Sequence, residues 1–161
     1  NTAAFRSARI LFSIASCRWP VYGPVAVRGF NGFARVATIR AAAKPLSAEA
    51  KRGLLFPYGS WADRIATLRF VEDIPMKPSH PSYDTLVEVE QGLAQFAGHP
   101  MLLIWGEKDF CFSPEFREQW QSRFPDAEVL KLDDVSHYVM EDAPDRALGA
   151  IEGFLKATLS R

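Results

Sequence analysis

Met101-Leu-Leu-Ile-Trp105 is an apolar run of strand length. It breaks at Gly106, and Asp109 follows three residues later. Ser113-Pro114 then opens a helix-like segment, with Ser113 at the N-cap and Pro114 at the first position. Phe116, Trp120 and Phe124 supply its apolar face. A second strand candidate, Ala127-Glu-Val-Leu-Lys-Leu132, leads into Asp133-Asp-Val-Ser-His137. An uninterrupted apolar run such as 101–105 is what a parallel strand covered on both faces shows. An acid thus follows one strand and a histidine the next, 28 residues apart. Functional groups in parallel α/β sheets gather just past the carboxyl ends of strands. An acid placed there can hold an imidazole in one tautomer, as in nucleophile–histidine–acid triads. No G-x-S-x-G and no G-x-D-x-G occurs in these residues, so neither form of nucleophile elbow is present.

Working outward, Ser82 to Phe96 reads as a helix whose face carries Tyr83, Leu86, Val89, Leu93 and Phe96. Ala143-Pro144 opens a last helix with Leu148, Ile151, Phe154 and Leu155 inward. The order from Ser82 is α, β, α, β, α, which the handedness rule makes a right-handed, doubly wound α/β edge. Upstream the pattern is helical throughout. Val25, Phe30, Phe33, Val36 and Ile39 mark one face, and Pro45 stops that helix. Ser47 and Ser60 are placed to cap two further helices. Pro75, Pro78 and Pro81 make a connector. The sequence therefore divides into a helical cap over residues 1–78 and an α/β core segment over 79–161.

At 161 residues, with 48% hydrophobic and 24% charged residues, the composition is that of a globular protein. The formal net charge is 0, which points to no nucleic-acid partner. Its distribution is uneven. Residues 1–69 hold 11 Lys+Arg against Glu49 and Asp63, while residues 70–161 hold 8 against 17 acids. A basic half of this kind suits an acidic partner or a lipid surface, or else a solvated cap that complements an acidic core. Cys17 and Cys111 are too few for a disulfide framework, and a reducing cytoplasmic setting fits them.

Arg6 and Arg9 precede Ile10-Leu-Phe-Ser-Ile14 and Ala15-Ser-Cys17, which mimics a lipoprotein signal. The apolar core spans only about five residues against the usual 7–15. A short cap helix is the better expectation. No run approaches the ~20 apolar residues of a membrane span.

The motifs Leu102-Leu-Ile-Trp-Gly-Glu-Lys-Asp109 and Ser136-His-Tyr-Val-Met-Glu-Asp-Ala-Pro-Asp145 resemble the C-terminal part of an α/β-hydrolase. In that superfamily the chain order is nucleophile, acid, histidine. The opening Asn1-Thr-Ala-Ala-Phe5 resembles the segment after the strand that follows the elbow. The resemblance implies the second half of a longer protein, with the nucleophile on an absent N-terminal half. The acid position and the helical cap point to the haloalkane dehalogenase and epoxide hydrolase branch, whose nucleophile is an aspartate. Val27-Arg-Gly-Phe-Asn-Gly-Phe-Ala-Arg35, Ser60-Trp-Ala-Asp-Arg-Ile-Ala-Thr-Leu-Arg69 and Phe70-Val-Glu-Asp-Ile-Pro75 resemble the β-lactone decarboxylases of bacterial long-chain olefin biosynthesis. In those enzymes an Asp carboxylate opens a four-membered lactone, and CO2 leaves to give a cis-alkene. The resemblance implies an apolar substrate, no cofactor and other olefin-biosynthesis enzymes as partners.

His137 is the candidate base and Asp109 its orienter. Their plain alternatives are a buried structural histidine and a turn-capping aspartate. Asp133, Asp134, Glu141 and Asp142 rival Asp109 in sequence but read as surface charges near a loop. His80 and His99 sit beside prolines and read as turn histidines. The three histidines lack metal-ligand spacing, so no metal is expected. Phe110, Phe112 and Tyr138 flank the acid and the histidine, either as an apolar substrate wall or as core packing. Trp61 and Phe30 could face the same cavity from the cap, or pack its helices together. Three function classes stay open at this point. They are a lactone decarboxylase, a haloalkane or epoxide hydrolase with Trp61 or Asn31 as halide donor, and a non-catalytic binding module on the same fold.

Overall fold

Leu102–Gly106 (β1) and Glu128–Leu132 (β2) pair in parallel, with Leu102 opposite Glu128 and Gly106 opposite Leu132. They form the sheet of a computed structural model that describes residues 1–159. Trp105 and Leu132 are fully buried, but Leu102, Leu103 and Ile104 are only half-buried. The apolar run had suggested a strand covered on both faces. Among the described residues β1 has β2 as its one neighbour, so its other edge gains no cover from them.

The chain divides into two compact units. One comprises Ala4–Arg40 and Pro45–Gln91 and is entirely helical; the other comprises Asn1–Ala3, Ala41–Lys44 and the chain from Gly92 onward. In the helical unit the helices are α1 (Phe12–Ser16), α2 (Gly32–Arg40), α3 (Ala48–Leu55), α4 (Ile65–Glu72) and α5 (Tyr83–Gly92). Ser47 caps α3 by accepting the Ala50 N–H at 3.0 Å. Ser60 and Asp63 exchange hydrogen bonds in the turn before α4, as in a capping box. Cys17, Val27, Leu68 and Val71 form the core of this unit, with Ile14 and Phe33 against them.

Of the expected stripe of Val25, Phe30, Phe33, Val36 and Ile39, only Phe33 packs on the core. The stretch Pro24–Gly29 is a π-helical turn, and Asn31 adopts a left-handed φ of 52° before α2 begins. Both changes shift the helical phase. Val27, Ala34 and Thr38 face inward instead, while Phe30, Val36 and Ile39 are exposed. Asn is among the residues that tolerate this φ.

Much of the basic charge of this unit is used internally. Arg64 donates to the carbonyls of Tyr58, Arg28, Gly29 and Gly59. Arg18 donates to Ile74 O, and the Arg28 guanidinium lies 4.3 Å from the Trp61 ring centroid. Carbonyls left open at helix ends and turns thereby find donors. No described helix is long and apolar enough to cross a membrane.

In the other unit α6 (Pro114–Arg123) connects β1 to β2, and α7 (Val139–Asp142) and α8 (Pro144–Leu159) follow. Pro144 opens α8 as expected, and Ala147 is its buried contact. Leu148 and Leu155 are about half exposed, so the inward stripe read from sequence is only partly used. Leu132, Val135 and Ala143 form a small core with Ile104, Leu130 and Val139.

The strand ends approach closely at Gly106. A Cβ there would stand 2.2 Å from Ser136 O and 2.8 Å from Val135 O. Gly106→Ala should therefore force the two loops apart and cost about 1–3 kcal/mol or more. Urea unfolding of the variant checks this, and an unchanged midpoint would contradict the close approach.

Candidate active site

The loops beyond β1 and β2 remain zipped together past the strand ends. Glu107 N donates to Leu132 O at 3.0 Å and Lys108 N to Val135 O at 2.9 Å. Ser136 Oγ adds a contact to Lys108 O at 3.3 Å. The two loops are thus held together beyond the strand ends, and the loop after β2 runs two residues longer than the strand register before it brings His137 to Asp109. His137 Nδ1 lies 2.8 Å from Asp109 Oδ2, within ordinary hydrogen-bond range.

The Asp109 carboxylate has no exposed side-chain surface. Oδ1 accepts from the backbone N–H of Cys111 at 2.6 Å and of Phe112 at 3.0 Å. Oδ2 accepts from His137 Nδ1 and from Asn1 Nδ2, the latter at 2.7 Å. Burial alone would push its pKa up. The bonds from His137, Phe112 N–H and Asn1, with the attraction of the imidazole, outweigh burial and hold it below the usual aspartate value. An ionised carboxylate accepts only, so Nδ1 is the donor in this bond.

Two residues absent from the sequence-level site belong to it. Asn1 clasps the end of β1: its Nδ2 donates to Gly106 O and its Oδ1 accepts from Gly106 N, both at 3.0 Å. The same amide reaches Asp109. Asp142, read from sequence as a surface charge, is buried. Its carboxylate accepts from Ser136 N at 2.9 Å and from the backbone of Ala43 and Lys44. It ties down the residue before His137 rather than the imidazole itself. Its neighbour Glu141 could not have signalled this, because the donors at 43 and 44 lie far away in sequence. Asp133, Asp134 and Glu141 are exposed as expected, and Asp134 pairs with Arg146 at 2.8 Å. Buried Arg117 holds Glu107 at 2.7 Å and 3.3 Å, fixing the start of the acid loop from α6.

Among the aromatic candidates, Phe112 stacks on the His137 ring at 5.8 Å and Tyr138 tilts against it at 5.7 Å. Phe116 meets Phe112 edge-on, and Trp105 Nε1 donates to Phe112 O. Phe110 is half-buried in the same loop. Trp61 and Phe30 belong to the helical unit, where both are at least half exposed. Asn31 is buried there and donates to Tyr58 O at 3.2 Å, a structural use of its amide. His80 takes turn bonds with Glu72 O and Ser82 N, and His99 lies beside Phe96.

Two outcomes follow from these carboxylates. Asp142→Ala strands the buried Ser136 N–H and should cost at least ~2 kcal/mol in urea unfolding. Asp109 behaves differently with pH. Its folded pKa lies below the unfolded value of about 3.9, so its contribution is complete above that value and is lost as pH falls through the folded one. Asp109→Asn should flatten the loss of stability below about pH 4. An equally steep acid limb in the variant would refute this.

No family model matches the chain. It is 36% identical over 162 residues to the cis-3-alkyl-4-alkyloxetan-2-one decarboxylase of Shewanella oneidensis, covering 98% of this chain and 51% of that protein. The protein of the same name from Xanthomonas campestris pv. campestris is 35% identical over 159 residues, covering 97% and 53%. The chain thus spans about half the length of the curated relatives it matches. The crystal structure of the ancestral haloalkane dehalogenase AncHLD2 superposes with a TM-score of 0.83 at 24% identity, over 92% of this chain and 52% of that one. With the parallel strand pair and the placement of acid and histidine, these likenesses show the fold, that of the C-terminal part of an α/β-hydrolase.

Proposed function

We propose that this chain supplies the histidine base and the orienting acid of an enzyme that opens and decarboxylates cis-3,4-dialkyl β-lactones. The observation that carries it is the buried Asp109–His137 pair at the ends of two parallel strands. The choice of lactone is supported by likeness to the two decarboxylases along nearly the whole chain. In this scheme an aspartate on a segment outside these 161 residues is the nucleophile, and that segment is the partner the site requires. Asp109 keeps the Nδ1 proton in place, so Nε2 faces the chemistry as base. Phe112 and Tyr138 exclude water from one side of the imidazole.

Residues 1–78 act as the cap and 79–161 as part of the core. An apolar substrate is supported by a cavity of about 320 Å³ within the helical unit, lined by Ile14, Phe33, Tyr58, Thr67, Val71 and Ile74 among others. That is the size range of small-molecule sites. Trp61 and Phe30 are proposed as exposed aromatic groups of the cap that meet the substrate. Cys17 and Cys111 are not disulfide-bonded, which fits a cytoplasmic location.

Residues 1–161 alone should turn over no dialkyl β-lactone, haloalkane or epoxide. The same chain joined to its upstream segment should convert the lactone to a cis-alkene. His137→Ala and Asp109→Asn should each lower kcat about 10²–10⁴-fold in that longer protein. Gas chromatography of the alkene and headspace CO2 provide the readout. Activity in residues 1–161 alone, lost on His137→Ala, would refute the need for an outside nucleophile. Haloalkane turnover without lactone turnover would reassign the substrate.

A further inference from the structure

Cys111 has no part in the scheme above, yet its sulfur stands beside the acid–histidine pair. One carboxylate oxygen of Asp109, the Cys111 sulfur and one ring nitrogen of His137 all lie within 4.8 Å of one another. We propose that these three residues form a binding site for a thiophilic divalent cation, Zn2+ or Cd2+, whose filling replaces the Asp109–His137 hydrogen bond. The proposal does not depend on which reaction the enzyme performs.

The ligand chemistry selects the ion. Thiolate and imidazole favour Zn2+ and Cd2+, whereas Mg2+ and Ca2+ prefer all-oxygen sites. Ligands of a tetrahedral Zn2+ sit about 2.0–2.3 Å from the metal, so pairs of ligand atoms are about 3.3–3.7 Å apart. The Nδ1 to Oδ2 separation of 2.8 Å needs only a small opening to reach that spacing. The loop is already wrapped for it. Asp109 Oδ1 holds the backbone of Cys111 and Phe112, which fixes where the thiol side chain starts.

Charge also balances. On filling, the Cys111 thiol releases a proton to solvent, while His137 gives up its Nδ1 proton and takes one at Nε2, so the ring stays neutral and one proton is released in all. Asp109 Oδ2 stops accepting from Nδ1 and ligates the ion. A carboxylate, a thiolate and a neutral imidazole then neutralise the 2+ charge at a position where the Asp109 side chain has no exposed surface. Three protein ligands leave the fourth tetrahedral position to water. Sequence spacing concealed the set, because Asp-x-Cys is followed by the histidine 26 residues later.

The test is a titration of the purified protein with CdCl2, followed by the ultraviolet thiolate-to-cadmium charge-transfer band, and with ZnCl2 by calorimetry. One ion per chain is expected. Cys111→Ser should abolish the band and weaken Zn2+ binding at least tenfold, and His137→Gln should weaken Zn2+ at least tenfold. Cys17→Ser should change neither, since Cys17 is buried in the helical unit with its Sγ on Ser13 O at 3.2 Å. Thermal melts establish that each variant is folded. X-ray absorption of the Zn2+-loaded unmodified protein gives an answer even where a variant does not fold. One sulfur among nitrogen and oxygen neighbours supports the site. No cadmium band in the folded protein, a band kept in Cys111→Ser, or a sulfur-free zinc spectrum overturns it.

Discussion

A carboxylate with no solvent contact stays ionised only if its oxygens are met by donors. Asp109 meets that condition with four: two backbone N–H groups of its own loop, the Asn1 amide and the His137 imidazole. Any one of them missing would leave charge buried without compensation, which is among the costliest defects in a folded protein. The loop conformation, the position of Asn1 and the ring orientation are therefore not independent choices. They are one arrangement, satisfied together around a single charge.

The backbone supports this arrangement from both sides. The two strand-end loops are joined by hydrogen bonds over Glu107, Lys108, Leu132 and Val135, so the acid and the histidine are brought together by loops tied to the strand ends. Gly106 allows the closest approach, because any side chain there would meet Ser136 O. Asp142 holds Ser136 from below, and Arg117 anchors Glu107 from α6. The histidine needs no strong bond of its own to the scaffold beyond Asp109, because its flanking residues are already fixed.

The acid–histidine pair was legible in the sequence because its signal is local. A strand-length apolar run, a break and an acid recur in parallel with a second strand and a histidine. Ser47, Pro114 and Pro144 likewise mark helix starts by chemistry confined to a few neighbouring residues. Asn1 and Asp142 were not legible. Asn1 works wholly, and Asp142 in part, through partners about a hundred positions away, and neither residue type has a burial signature by itself. The Pro24–Arg40 stretch misled for another reason. A 3.6-residue period was assumed across a π-helical turn and a left-handed Asn31, so the phase was lost midway. Among the described residues β1 pairs with β2 alone, and no strand sequence records how many neighbours it has.

The site unit is stitched from chain segments far apart. Asn1 bonds Gly106 and Asp109 across separations of 105 and 108 residues, Trp120 Nε1 bonds Thr2 O across 118, and Asp142 bonds Ala43 across 99. Loop closure of that length must precede any reward from the contacts it makes, which places such contacts late in folding. The helical unit closes over shorter distances and can form earlier. During synthesis the acid loop cannot be completed until the segment carrying His137 and Asp142 has left the ribosome. The buried charge of Asp109 therefore gains its full set of donors only when the histidine arrives.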